Sequence, residues 1–462
     1  MSLKDNLGII VIIISFIFAN LIFSKLYNDI WWDSSVYIGM GKYIYSSGKS
    51  GLWEESRPLI LPLILGIGWK LNFNLVYFSR IVSVIFSILV ILMTYKIGFK
   101  LFSKKIGLMA AFFIAFSYTF LFFSPNILTE IPSMLFVLLV FYFFLKNKFF
   151  LMGLFSGMAV MTRLFQIFTL IGLYLVFFAY FFRKSNFYKK LFFAIIGISI
   201  FIIPYFFLNY YLYNDILLPF KTQGHLTKTT GWMLYKEFWF YFNGLLKENY
   251  LLLFLFSIPF FLKRNYKFYA LALAPLIYFV IFSIVKHKEM RFMLVILPFL
   301  YLLLSYCLYQ IYARISYKRF GLALFFVMVG LWLTITFVSF KDIILFKSPQ
   351  NEGFTYFQDF LKNNKGNIWI SNPLYSLYSD SRIDGLLYFY SSENLIKFID
   401  KNKDNVNIVL FNNCDIPCPP KELDSLCEES KKIIQGLLSK FTKVYQKEVN
   451  SCNYEIFKRT TY

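Results

Sequence analysis

Long apolar runs dominate the first 340 residues of the chain. They fall at about 7–26, 75–101, 106–124, 131–145, 149–182, 191–212, 239–262, 268–286, 292–312 and 320–340. A helix needs about 20 residues to cross the hydrocarbon core of a bilayer, so these runs read as membrane spans. The stretch 58–71 is shorter and broken by prolines and Trp69, and it reads as an interfacial helix. The run 149–182 is too long for one span. As a single helix it would reach about 51 Å, against a core of roughly 30 Å. Two short helices or a re-entrant hairpin fit it better, with Arg163 near the turn. Beyond about 345 the pattern changes. Helix-like stretches at 352–361, 393–401 and 421–441 alternate with strand-like ones at 367–371, 406–411, 443–449 and 454–458. That alternation predicts one small α/β domain. The expected division is a transmembrane domain, 1–344, and a C-terminal α/β domain, 345–462.

Composition agrees. The chain is 58% hydrophobic and only 16% charged, more apolar surface than a soluble domain of 462 residues could cover. The net charge of +22 raises the question of nucleic acid, and its distribution answers it. Residues 341–462 carry 16 basic and 15 acidic side chains, which leaves 31 basic and 10 acidic before them. Basic charge confined to the short loops of a membrane protein is an orientation signal, so no nucleic-acid partner is expected. Five loops hold it: Lys96, Lys100, Lys104 and Lys105; Lys146 and Lys148; Arg183, Lys184, Lys189 and Lys190; Lys263, Arg264 and Lys267; Arg314, Lys318 and Arg319. All five should be cytoplasmic. Residues 149–182 then cross an even number of times. The count becomes about 11 spans, with the N-terminus cytoplasmic and the C-terminal domain extracytoplasmic. The first run could be a secretory signal peptide, but its flank holds one Lys and one Asp and no small-residue cleavage site follows, which favours an uncleaved span.

Acidic residues took no part in that assignment. Asp29, Asp33, Glu54, Glu55, Glu130, Asp215, Glu237, Glu248 and Glu289 all fall outside by it, and Asp5 alone falls inside. Such clustering predicts a polar site at the outer face. Cys307 lies in a span and reads as packing. Cys414, Cys418, Cys427 and Cys452 lie in the tail. An even count in an extracytoplasmic domain favours disulfides, with three pairings open, over free thiols or a zinc site, whose usual spacings are absent.

Several constellations could carry chemistry. Asp33 and Tyr37, four apart, share a helical face, and Glu54, Glu55 and Arg57 follow closely. Thr129 and Glu130 open a span, where Glu130 could also serve as a cap. Arg163 sits at the 149–182 turn. Lys286, His287, Lys288, Glu289 and Arg291 crowd between two spans, where dense charge tends to be functional. The loop 214–238, with Lys221, His225 and Lys228, is long enough to be a lid. Taken singly, Arg57, Arg80, Lys221 and Lys228 could be solvated interfacial anchors, and His225 a solvated loop residue.

These residues carry a resemblance. W-D-x-x-x-Y at Trp32, Asp33 and Tyr37, then E-S-R-P-L from Glu55, resembles the first outer loop of the GT-C glycosyltransferase superfamily. Leu128-Thr129-Glu130 is similar to its second outer acidic position, and Gly157 to Arg163 resembles its G-x-x-x-x-T-R element. His287-Lys288-Glu289-x-Arg291-Phe292 is similar to the H-K-E-x-R-F motif of dolichyl-phosphate-mannose-dependent mannosyltransferases of GPI-anchor and N-glycan assembly. The likeness covers most of 1–340 and implies a polytopic GT-C membrane fold whose transmembrane domain is catalytic. It implies a polyprenyl- or dolichyl-phosphate sugar as donor and a glycan, lipid or protein hydroxyl as acceptor, in contact with membrane lipid. Many relatives have two adjacent acids where this chain has Asp33-Ser34. That departure favours a metal-free reaction without cofactor over a divalent-metal one.

The implied mechanism is physically sensible. Asp33 would take the acceptor's proton. Arg163, His287, Lys288 and Arg291 would bind the lipid phosphate, and Tyr37, Glu55, Arg57, Glu130 and Glu289 would complete substrate binding. A single displacement inverts the anomeric carbon. A secondary transporter is the rival, but its site should lie at the bilayer midplane between repeats. A lipid-linked oligosaccharide polymerase or ligase is a closer alternative.

Overall fold

The computed structural model describes residues 3–27, 30–229, 231–262, 265–344, 367–449 and 451–459. Asp29, Lys263, Arg264 and the helix expected at 352–361 lie outside the described residues. In chain order the helices are α1 (Leu3–Leu26), α2 (Trp32–Tyr45), α3 (Ile60–Lys70), α4 (Leu75–Leu101), α5 (Lys104–Phe116), α6 (Tyr118–Phe123), α7 (Glu130–Leu145), α8 (Phe149–Thr162), α9 (Gln166–Phe181), α10 (Phe187–Tyr213), α11 (Leu218–Thr229), α12 (Phe240–Glu248), α13 (Tyr266–Ile284), α14 (Leu297–Arg314) and α15 (Lys318–Ile344). Strand β1 (Ile368–Ile370), helix α16 (Leu374–Tyr378), strand β2 (Ile383–Leu386), helix α17 (Ser392–Asn402), strand β3 (Ile408–Asn412), helix α18 (Cys427–Leu438), and strands β4 (Thr442–Val449) and β5 (Cys452–Lys458) follow. The chain forms two compact units, residues 1–28, 80–216 and 236–346, and residues 29–79, 217–235 and 347–462.

The first unit is helical. Six described helical segments are long and apolar enough to cross a membrane, and the pair Phe240–Glu248 and Tyr250–Phe261 would make a seventh if taken as one span. Outward-facing apolar side chains such as Ile14, Phe18, Phe207 and Phe326 suit contact with lipid tails. The segment Met290–Arg314 is the exception, 89% buried, so it forms the centre of the unit.

The expected split of 149–182 is present, as α8 and α9. Arg163 breaks the helix there with an extended backbone at φ −152° and ψ 113°. Two other runs read as single spans are broken as well. Residues 106–124 divide at Ser117, which is extended at φ −68° and ψ 138°. Residues 239–262 bend by 106° between α12 and the 3-10 helix Tyr250–Phe261. A local cap and a distant contact fix the bend. Asn249 is extended and its side chain accepts a hydrogen bond from the Leu251 N–H, which starts a new helix. Just before it, the Glu248 carboxylate accepts from the Thr119 N–H at 3.1 Å and its hydroxyl at 2.6 Å. A carboxylate buried in an apolar bundle needs such donors.

The second unit is a three-layer sandwich. Its sheet runs β2-β1-β3-β5-β4, parallel from β2 to β3 and antiparallel beyond. One face packs Ile368, Ile370, Ile408 and Leu410 against Val36, Met40 and Leu52, from α2 and the chain after it. The other face packs Trp369, Val409 and Phe457 against Leu395 and Ile399 of α17 and Ile434 and Leu437 of α18. Gly41 makes the α2–α3 contact possible, since a Cβ there would lie 2.7 Å from Gly66 N and 2.8 Å from Pro62 O. Lys42, 2% exposed, donates to the carbonyls of Ser376, Leu377 and Ser379 at 3.0–3.1 Å and meets Asp380 at 3.2 Å. It ties α2 to the end of α16. The tail cysteines form the disulfides Cys414–Cys452 and Cys418–Cys427, one of the three pairings, and Cys307 is buried and reduced. Strand β2 and helix α16 were not expected from the sequence.

Asp415 lies past β3. It accepts hydrogen bonds from Ser371 at 2.8 Å and Asn372 at 2.9 Å, yet burial pushes its carboxyl from 3.8 to about 7. The folded state holds this proton more tightly than the unfolded chain does. The stability it contributes is therefore full below about pH 4 and is lost as pH climbs to about 7, on the order of 4 kcal/mol at the upper limit. Hydrogen exchange at β1 and β3 should accelerate between pH 5 and pH 8 beyond its intrinsic base catalysis. Asp415→Asn should flatten that excess, and an unchanged excess in the variant would remove Asp415 as its source.

Candidate functional site

Two charged clusters hold most of the expected site residues, one in each unit. In the second unit, Asp33 stands in the first turn of α2, where the helix dipole favours a carboxylate. Tyr37 lies one turn on. Arg57 reaches both, at 2.8 Å from Asp33 Oδ1 and 3.4 Å from Tyr37 Oη, so the shared helical face is confirmed by a common partner. The guanidinium Nε of Arg57 also donates to Glu54 Oε1 at 2.7 Å. Glu54 is buried and accepts further from Ser56 at 2.9 Å and Tyr388 at 3.3 Å. Tyr388 stacks edge-on against Trp32, with centroids 4.8 Å apart.

Burial opposes the charge on Arg57, but Asp33 and then Glu54 outweigh it and raise its pKa well above the ordinary value. Burial, reinforced by Glu54, likewise raises the Tyr388 phenol. Arg57 is thus a fixed cation 2.8 Å from Asp33 Oδ1, and Asp33 keeps 18% of its side chain exposed. Glu55 points elsewhere. It accepts from Thr222 of α11 at 3.1 Å, and burial raises its pKa against that bond.

In the first unit, Glu130 opens α7 and Arg163 ends α8. Their side chains meet at 2.7 Å, with Thr129 Oγ1 3.3 Å from the same arginine nitrogen. Arg291 lies 3.6 Å from Glu130 and 2.8 Å from Glu289. Glu289 also meets His287 Nε2 at 3.1 Å. Phe292 is the floor, with the Arg163 guanidinium 5.0 Å above its ring and the His287 ring stacked at 5.5 Å. The buried tyrosines Tyr278 and Tyr241 fix the loop. Tyr278 donates to Phe292 O at 3.0 Å, and Tyr241 accepts from Glu289 N at 3.3 Å. The buried His287 Nδ1 has no hydrogen-bond partner among the described residues.

Lys288 departs from expectation. It is 2% exposed, and its ammonium donates to the carbonyls of Lys236 and Val285. Two of its three donors are therefore engaged in holding the loop, not turned toward a ligand. Sequence reasoning also passed over Tyr388, Tyr241 and Tyr278, and gave Glu54 no role. The Glu54–Arg57 spacing was a usable signal for the last of these. Among the described residues, no three His, Cys, Asp or Glu side chains gather as a metal-holding group.

The fold is similar to that of solved membrane enzymes. ArnT from Cupriavidus metallidurans bound to undecaprenyl phosphate superposes with a TM-score of 0.69 at 11% identity, covering 97% of each chain. AglB, the oligosaccharyltransferase of Archaeoglobus fulgidus, in complex with an inhibitory peptide and a dolichol-phosphate, gives 0.62 at 12% identity, covering 98% of this chain and 74% of that one. Among curated proteins nothing matches the sequence. The family match and the fold together define a multi-pass membrane glycosyltransferase of the GT-C class. More narrowly, the chain belongs to the Alg9-like mannosyltransferase family, whose profile matches residues 16–381.

Proposed function

We propose that the protein transfers a sugar from a polyprenyl- or dolichyl-phosphate donor to an acceptor hydroxyl at the outer membrane face, with inversion and without a metal. The pairing of Asp33 with Arg57 carries the reading. A carboxylate paired with a fixed cation at 2.8 Å and still 18% exposed is suited to take a proton from an acceptor hydroxyl. The cation beside it is already an arginine, so the reading needs no metal there. Arg163, Arg291 and His287 are assigned to the donor's phosphate, where charge develops as the sugar leaves. Arg offers forked hydrogen bonds suited to phosphate. Glu130 and Glu289 hold the two arginines in place, and Lys288 holds the loop that carries them. Transfer in one displacement inverts the sugar carbon. The lipid phosphates bound to ArnT and AglB support the donor class.

The test offers purified protein a panel of labelled sugars on polyprenyl monophosphate, polyprenyl diphosphate and nucleotide, with and without a chelator. Transfer from the monophosphate series that survives chelation supports the reading. Transfer from nucleotide sugars alone, or complete loss with chelator, contradicts it.

The proposed orientation follows the basic loops. Tags at 147, 187, 265 and 316 should be protected in right-side-out vesicles, and a tag at 462 accessible. Exposure of 187 would contradict an even number of crossings between 149 and 182.

A further inference from the structure

A second polar concavity lies in the helical unit, at the other ends of α7, α8 and α9 from the Glu130–Arg163 pair. At 1.5 Å per residue, the 16 residues of α7 put it about 24 Å from Glu130. The cavity measures ≈ 880 Å³. Lys148, Lys184, Lys189 and Lys190 line it, and no residue lining it is acidic. Its remaining wall is largely aromatic, including Phe149, Tyr180, Phe181 and Tyr266. Lys184 sits 3.9 Å over the Tyr180 ring and Lys190 4.1 Å over Phe181, so two of the ammonium groups are held by ring faces.

The orientation rule explains why these loops are basic. It does not explain why four lysines from two loops converge on one hollow, where they repel one another. The packing of α8 and α10 brings them together. A Cβ on Gly153 would meet Ala194 O at 2.0 Å, and one on Gly197 would meet Phe150 O at 2.3 Å, so only glycine allows this approach. Gly153 faces Ala194 and Gly157 faces Ile198, so the two helices run parallel. Both therefore begin at the cavity. Neither start has a side-chain cap hydrogen bond, and Lys189 and Lys190 occupy the first turn of α10, where the dipole disfavours cations. An anion in the hollow relieves both the repulsion and the dipole.

We propose that this cavity binds the phosphate of an anionic phospholipid headgroup, separately from the sugar donor. The source is a lipid because the hollow opens at the ends of lipid-facing helices, with Phe150 and Phe193 exposed beside it. Basic pockets between spanning helices are suited to such headgroups.

The test uses full-length protein in nanodiscs of phosphatidylcholine with increasing phosphatidylglycerol, with bound lipid counted by native mass spectrometry. The variant is Lys148→Gln/Lys189→Gln/Lys190→Gln. The parent should retain phosphatidylglycerol selectively. The variant should lose that retention by about 100-fold, at roughly fivefold per lysine, while sugar transfer assayed in detergent stays at the parental rate. Equal retention of both lipids by the parent, or unchanged retention by the variant, would overturn the proposal. So would complete displacement of the lipid by millimolar inorganic phosphate, which would mark a site for the free anion.

Discussion

Asp33→Asn should fold, insert and bind donor, yet transfer sugar at least about 100-fold more slowly, the usual scale of general-base assistance. The substitution keeps the shape of the side chain and can still face Arg57. It removes the charge that accepts the acceptor's proton. Arg57 keeps Glu54 as a partner at 2.7 Å, so the loop has a second anchor. Glu55→Gln should be milder, because Glu55 is turned to Thr222. A conservative Asp33→Glu variant separates chemistry from architecture. It should recover part of the rate if a carboxylate is what the step requires. Near-parental transfer by Asp33→Asn would move the base elsewhere.

Arg291→Ala should raise the donor concentration needed for half-maximal rate by about 10- to 100-fold, as expected for one charge-assisted hydrogen bond of about 1.5–3 kcal/mol. Its partner Glu289 keeps 16% of its side chain exposed, and Glu130, 3.6 Å away, keeps Arg163 at 2.7 Å, so the variant leaves no buried carboxylate without a cation. Arg163 is a harder case. Glu130 beside it is 1% exposed, and Arg163→Ala alone would leave that carboxylate only Arg291 at 3.6 Å, at a cost of up to about 3–5 kcal/mol. The double change Arg163→Gln/Glu130→Gln avoids this and should lose donor affinity to a similar degree. Lys288→Ala should instead lower protein yield and thermal stability, because its ammonium holds two carbonyls. Unchanged donor dependence in Arg291→Ala would take the H-K-E-x-R-F segment out of phosphate binding. Both values follow from initial rates across a donor titration.

Much of this architecture was legible because hydropathy reports what must avoid water. Most of the apolar helices, the split at Arg163 and four of the five strands follow from apolar length and alternation. The breaks at Ser117 and Asn249 do not, because each depends on a distant partner: Glu248 reaches Thr119 across 129 positions. The same limit hid Tyr388, which meets Glu54 across 334 positions. Hydropathy does not show what packs on Val36 and Met40, so the packing of α2 on the tail sheet was invisible. Strand β2 escaped because it is four residues long and includes Asp384-Gly385, a pair that reads as a turn. Lys288 shows the opposite limit. A motif assigns a residue type to a position, whereas only the fold shows which way its ammonium is drawn.

The central claim is that a sugar leaves a lipid phosphate and joins an acceptor hydroxyl. Its most direct test places purified protein in sealed vesicles with a polyprenyl-phosphate sugar labelled separately in the sugar and in the phosphate. The account predicts that the sugar label appears on an acceptor with inverted anomeric configuration, while an equal amount of labelled polyprenyl monophosphate stays in the membrane. Movement of intact donor across the bilayer, or of sugar and phosphate together onto the acceptor, would contradict it.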